Sequence, residues 1–100
     1  MSNHSGDPDV SIAKARVAPG VSTNWHRLRD TAERYVIIEG CGLVEVGELP
    51  PQTVKPGDCV LIPPLCRQRI TNMGAGDLIF LAICSPRFVP ACYENLGDID

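Results

Sequence analysis

His26 is one of only two histidines in the chain, and Glu33 follows it by seven residues. Imidazole and carboxylate are the side chains best suited to hold a divalent cation or to move a proton near neutral pH. Side chains two apart on a strand point the same way, so a strand through His26 carries Leu28 on the same side. Gln68 shares parity with Cys66 and Ile70 and faces inward if His26 does. Glu33, beginning the next strand, is expected to face across a hairpin toward His26 and Leu28. Together His26, Glu33 and Gln68 offer an imidazole nitrogen, a carboxylate and an amide oxygen. That oxygen-rich set, lacking thiolate, suits Mn, Fe or Ni with open water positions better than a closed Zn site. The expected cofactor is a divalent metal ion (Mn, Fe, Ni or Zn), although a neutral amide carbonyl binds metal weakly.

A second chemistry is open to the same three residues. Without metal they must satisfy one another, because an unpaired buried polar group costs about 1–3 kcal/mol. The carboxylate accepts from imidazole and amide alike, and the site then binds a small molecule such as a sugar or a carboxylate metabolite. Tyr35 and Ile37 share the parity of Glu33 and, with Leu28 and Cys66, are the candidate substrate-lining residues. Cys66 reads either as a soft ligand or redox group or as a buried inert thiol. Trp25 points away from the face of His26, toward a dimer contact, and Arg67 and Arg69 face solvent or a partner strand.

Strands must position these groups. Val10 to Val17 alternates in polarity and ends at Pro19-Gly20. Asn24 to Arg29 is short and follows no helical period. Arg34 to Glu39 holds the strand-favouring run Tyr35-Val36-Ile37-Ile38. Gly40-Cys41-Gly42 has turn chemistry, so Leu43 to Val46 is expected to return as a hairpin partner. Gln52 to Lys55 follows Pro50-Pro51 and leads into the turn Pro56-Gly57-Asp58. Cys59 to Ile62, Arg67 to Thr71 and Leu78 to Cys84 complete about eight short strands with turn signals between them. After Pro90, Ala91 to Leu96 reads as one helical turn. The pattern is that of an all-β sandwich or barrel forming one domain over residues 10–100, preceded by a flexible N-terminal segment, residues 1–9.

Composition excludes several classes. The chain has 100 residues and a formal net charge of −3, with a pI near 5.2. It lacks the basic face that a nucleic-acid partner requires. No apolar run approaches the ~20 residues of a membrane-spanning helix, and the polar N-terminus holds no signal-peptide core. Five cysteines, an odd number with no C-x-x-C pair, fit reduced thiols in a cytoplasmic protein better than a disulfide framework. There is no Gly-x-Ser-x-Gly elbow, no phosphate-cradling Gly-x-x-x-x-Gly-Lys loop and no Gly-x-Gly-x-x-Gly.

Two spaced patterns remain. Gly20, His26, Leu28, Glu33 and Gly40 resemble the first motif of the cupin superfamily, which runs Gly, His-x-His, Glu, Gly at these intervals. Gly57, Pro63, Leu65, Gln68 and Asn72 resemble its second motif, Gly, Pro-x-Gly, His, Asn. Together the two span 53 residues. Cys84-Ser85-Pro86 with Tyr93-Glu94 is similar to the tail of small one-domain bacterial cupins. The resemblance implies a double-stranded β-helix of roughly six to eight strands, a jelly-roll-like barrel, commonly a homodimer. It implies a metal site of two histidines and a glutamate from the first motif and a histidine from the second. Here His26 and Glu33 match, Leu28 stands at the second histidine and Gln68 at the third. The implied function is a divalent-metal-dependent enzyme on a small molecule, of oxygenase, isomerase or lyase type; the alternative is a metal-free, non-catalytic binding or sensing module.

Overall fold

The computed structural model describes residues 9–97; His4 and nearly all of the expected N-terminal segment lie outside them. Nine strands follow in order: β1 (Ser11–Val17), β2 (Trp25–Leu28), β3 (Ala32–Glu39), β4 (Gly42–Val46), β5 (Gln52–Val54), β6 (Cys59–Ile62), β7 (Gln68–Asn72), β8 (Leu78–Ser85) and β9 (Tyr93–Gly97). A 3-10 turn, Pro90–Cys92, precedes β9. Sheet A has the order β1-β8-β3-β6 and sheet B the order β5-β4-β7-β2-β9, with every pairing antiparallel. The chain is therefore an all-β, jelly-roll-like double-stranded β-helix.

Two kinds of local expectation are corrected, the hairpins and the C-terminal helical turn. β3 and β4 form no hairpin: β3 pairs with β6 and β8 in sheet A, and β4 pairs with β5 and β7 in sheet B. Gly40-Cys41-Gly42 is a corner that carries the chain from one sheet to the other. Corners and hairpins use the same turn residues, and only the packing of two sheets around one interior separates them. β2 and β3 are likewise in different sheets, so Glu33 faces His26 across the barrel interior. The second correction is at the C-terminus, where the helical turn is only Pro90–Cys92 and the rest is edge strand β9 on β2.

The core lies between the sheets. Tyr35, Ile37, Ile62, Leu78 and Phe80 from sheet A meet Val44, Val46, Val54 and Ile70 from sheet B. Each fully buried aliphatic or aromatic side chain contributes about 1.5–3 kcal/mol, so this cluster holds the barrel closed. The motif residues outside the candidate site are structural. Pro19-Gly20 and Pro56-Gly57 form type II turns, with Gly20 at φ 77° and Gly57 at φ 93°. Val21 N–H bonds Ala18 O at 3.1 Å and Asp58 N–H bonds Lys55 O at 3.0 Å, and the third turn position needs positive φ. Buried Asn72 donates from Nδ2 to Val17 O and Gly76 O and accepts from Gly74 N–H, each at 2.8 Å. It ties the end of β1 to the turn before β8.

Candidate functional site

Gln68 is the centre of the interior polar cluster. It is opposite His26 in the β2–β7 register, and its side chain crosses from sheet B to sheet A. Gln68 Nε2 donates to Glu33 Oε1 at 2.8 Å, and Tyr35 OH donates to Gln68 Oε1 at 2.5 Å. The other carboxylate oxygen, Glu33 Oε2, accepts from Cys84 Sγ at 3.8 Å, a weak bond. Alternation along β3 places Glu33 and Tyr35 on the same inward face. A relay Tyr35–Gln68–Glu33 thus spans the barrel, with the amide oriented by its two partners.

His26 stands beside this relay without joining it. Its Nδ1 bonds Asn24 O at 2.8 Å, and since a carbonyl only accepts, Nδ1 carries the proton and Nε2 is left as an acceptor in the neutral ring. No partner for Nε2 is found among the described residues. The imidazole stacks on Tyr93 of β9, centroids 5.2 Å apart and planes 23° from parallel.

Burial dominates the electrostatics of the buried acids. Burial pushes the Glu33 carboxyl above its ordinary value, opposed by the Gln68 hydrogen bond, the nearby His26 and the Cys84 thiol. Burial first, then the charge of Glu33, holds the Tyr35 phenol well above its usual range. Cys84 is pushed up to about 12 by burial and by Glu33 and Cys92, so it is an inert thiol rather than a nucleophile.

A cavity of about 270 Å³ opens beside these groups. His26, Leu28, Glu33 and Tyr35 line it. Gln68, fully buried at 0% exposure, lies behind the wall. Ile37 and Cys66 are elsewhere: Ile37 is in the main core and Cys66 packs against that core from its edge. Lining residues missed by the sequence reading include Ala13 and Ala15 of β1, Phe80 and Ala82 of β8, and Phe88 and Tyr93 from the C-terminal segment. The β1 members carried a signal in their alternation with Lys14 and Arg16; within the wholly apolar run of β8, and for Phe88 and Tyr93, no local signal marked the inward residues. A larger cleft of about 400 Å³, lined by Val44, Leu49, Val54 and Leu61 among others, holds none of the His26–Glu33 group. Chemistry, not size, selects the smaller one.

The arrangement does not fit a divalent cation. Among the described residues, no three His, Cys, Asp or Glu side chains are grouped so as to hold a metal, so His26 and Glu33 would have to rely on the Gln68 amide. The third expected ligand, Gln68 Oε1, is already bonded by Tyr35, and the amide turns its N–H toward Glu33. Leu28 contributes only hydrocarbon to the same wall. On the outer side of β2, Trp25 is not a bare contact face but is 5% exposed. Arg67 and Arg69 cover its ring at 4.8 and 4.6 Å, and its indole Nε1 is buried without a partner.

Comparison with known proteins agrees with this architecture. The sequence profile described as "Cupin domain" matches residues 13–84. An uncharacterised protein of Methanocaldococcus jannaschii is 35% identical over 78 residues, covering 78% of this chain. The chain spans 62% of the length of that relative. An uncharacterised Klebsiella pneumoniae protein with a double-stranded β-helix domain superposes with TM-score 0.79 at 18% identity, covering 92% of this chain and 77% of that one. An oxalate decarboxylase of Lactobacillus farciminis superposes with TM-score 0.79 at 23% identity, over 88% of this chain and 27% of the other. At these identities the structural likeness establishes the fold alone.

Proposed function

Because this chain belongs to the cupin family, its function is sought in the barrel interior, and we propose that the interior cavity is a metal-independent, non-catalytic binding or sensing site for a small molecule. The relay Tyr35–Gln68–Glu33 carries this reading: it uses the amide oxygen that a cation would need and leaves Glu33 and His26 on the wall of a mainly hydrocarbon cavity. Such a cavity with few polar groups suits an apolar ligand oriented by one or two hydrogen bonds, in place of the sugar or carboxylate metabolite expected from the sequence. The five cysteines are all free, which fits a reducing cytoplasm, and a homodimer remains part of the proposal through the resemblance.

The competing reading, a divalent-metal enzyme, requires the Gln68 amide to turn over and give up its bonds to Tyr35 and Glu33. A thermal-shift screen of protein purified without a metal-affinity tag and treated with chelator separates the two. Ligands that bind only the folded state raise the melting temperature by mass action. Stabilisation by small, largely apolar molecules in chelator is the expected result. Stabilisation by Mn, Fe, Ni or Zn alone, reversed by chelator, overturns the binding function in favour of the metal enzyme.

A further inference from the structure

The cavity has two unlike walls. On one side, three neighbouring positions of β1 and β8 carry only alanine: Ala13 pairs with Ala82 in register, and Ala15, two residues on, lies beside Phe80. Protein interiors pack as densely as organic crystals, so alanine at these neighbouring inward sites leaves a flat-sided void where larger residues would close it. Rings surround this floor. Tyr35 and Phe80 border it on the same sheet and meet at 4.5 Å between centroids, His26 and Tyr93 of the opposite sheet stack on each other, and Phe88 is held at the rim by its N–H bond to Ser11 Oγ at 3.0 Å. A cavity of about 150 Å³ accepts benzene; one of about 270 Å³ has room for a ring with a short substituent.

Most polar atoms in the wall are already committed. Tyr35 OH is given to Gln68, Thr23 Oγ1 accepts from Ile70 N–H at 3.0 Å, and Ser11 Oγ holds Phe88. Apart from the hydroxyl of Tyr93, a residue 41% exposed, His26 Nε2 and Glu33 Oε2, the latter met only by the distant Cys84 thiol, are the side-chain acceptors left in the wall. Two spare acceptors call for a ligand that donates. Aromatic rings favour offset-stacked or edge-to-face contact with other rings, an interaction that a saturated ring of the same size lacks.

We propose that the cavity binds a small planar aromatic molecule bearing one hydroxyl donor, a phenol in chemical class, with its ring between the alanine floor and the His26–Tyr93 stack and its hydroxyl on Glu33 or His26. This specificity rests on the metal-independent binding function proposed above. Phenol, cyclohexanol and glucose are titrated into chelator-treated protein and followed by calorimetry and ligand-observed NMR. Saturable phenol binding, at least tenfold tighter than cyclohexanol, with no response to glucose, is the expected result. Ala15→Val, which narrows the slot, should weaken phenol at least tenfold while the melting temperature holds or rises. Should that variant misfold, Tyr93→Leu on the edge strand removes one ring and should lower the phenol-to-cyclohexanol ratio. Equal affinity for phenol and cyclohexanol overturns the aromatic specificity and leaves a general binding cavity standing. Failure of both to bind overturns the phenol proposal, while the thermal-shift screen decides the binding function separately. Phenol binding unaltered by either variant places the ligand elsewhere and overturns the proposal as well.

Discussion

Replacing Gln68 with leucine tests the relay at its hub. Gln68→Leu is close in size and apolar, so packing changes little, but Tyr35 OH loses its acceptor and Glu33 Oε1 its donor. Each unsatisfied buried group costs about 1–3 kcal/mol, which gives about 2–6 kcal/mol for the pair. Glu33 lies on the cavity wall and recovers part of its loss by turning toward water, so the lower part of that range, about 2–4 kcal/mol, is expected. For a domain of this length each kcal/mol moves the melting temperature by about 4–8 °C, a drop of roughly 8–30 °C. Tyr35→Phe alone leaves Gln68 Oε1 unsatisfied and should cost about 1–3 kcal/mol. In the Gln68→Leu background, however, Tyr35→Phe removes an already orphaned hydroxyl and should be neutral or stabilising. Urea unfolding of the two single variants and the double variant, followed by circular dichroism, measures the coupling directly, with about 1–3 kcal/mol expected. Additive costs, or a Gln68→Leu penalty under about 1 kcal/mol, would refute the relay as the interior's polar support.

Three further outcomes are expected. Glu33 has a folded pKa above its unfolded value of 4.5, so the native state binds more protons between the two values, and stability falls as pH rises from about 4.5 through the folded value. Unfolding midpoints should therefore decline over that window in the wild type and stay flatter in Glu33→Gln; parallel curves would show that Glu33, within its setting of Gln68, His26 and Cys84, is not the group responsible. Leu65 has φ 66° and is 56% exposed, at the position where the cupin pattern has glycine. Leu65→Gly relieves about 1–2 kcal/mol of left-handed strain against about 0.5–1 kcal/mol of added chain entropy. A small rise in melting temperature should follow, and a fall would contradict the strain. Finally, Arg67→Ala with Arg69→Ala uncovers Trp25, so its emission should shift to the red and acrylamide quenching increase; unchanged fluorescence would mean the arginines do not shield the ring.

Much of the barrel is legible in the chain. Turn residues at Pro19-Gly20 and Pro56-Gly57 dictate type II geometry locally, and the apolar runs Cys59 to Ile62 and Leu78 to Cys84 lie in strands β6 and β8 of the structure. The spacing of His26, Glu33, Gln68 and Asn72 places the barrel in its family because each motif residue serves a local turn or a fixed inward position. The corner at Gly40-Cys41-Gly42 and strand β9 were not legible, since pairing partners are chosen by distant strands and not by the turn itself.

The amino-acid sequence by itself determined that His26, Glu33 and Gln68 are present and face one interior, because strand alternation is a local property of the backbone. Only the tertiary structure decided what they do there. The direction of the Gln68 amide depends on Tyr35 and Glu33 across the barrel, and the cavity depends on alanines of β1 and β8 lying opposite rings from β2 and β9. Hydrogen-bond direction and empty volume are properties of residues far apart in the chain, so two of the three side chains that read as metal ligands, Glu33 and Gln68, join Tyr35 in a hydrogen-bonded relay, with His26 beside it on the wall of an apolar slot.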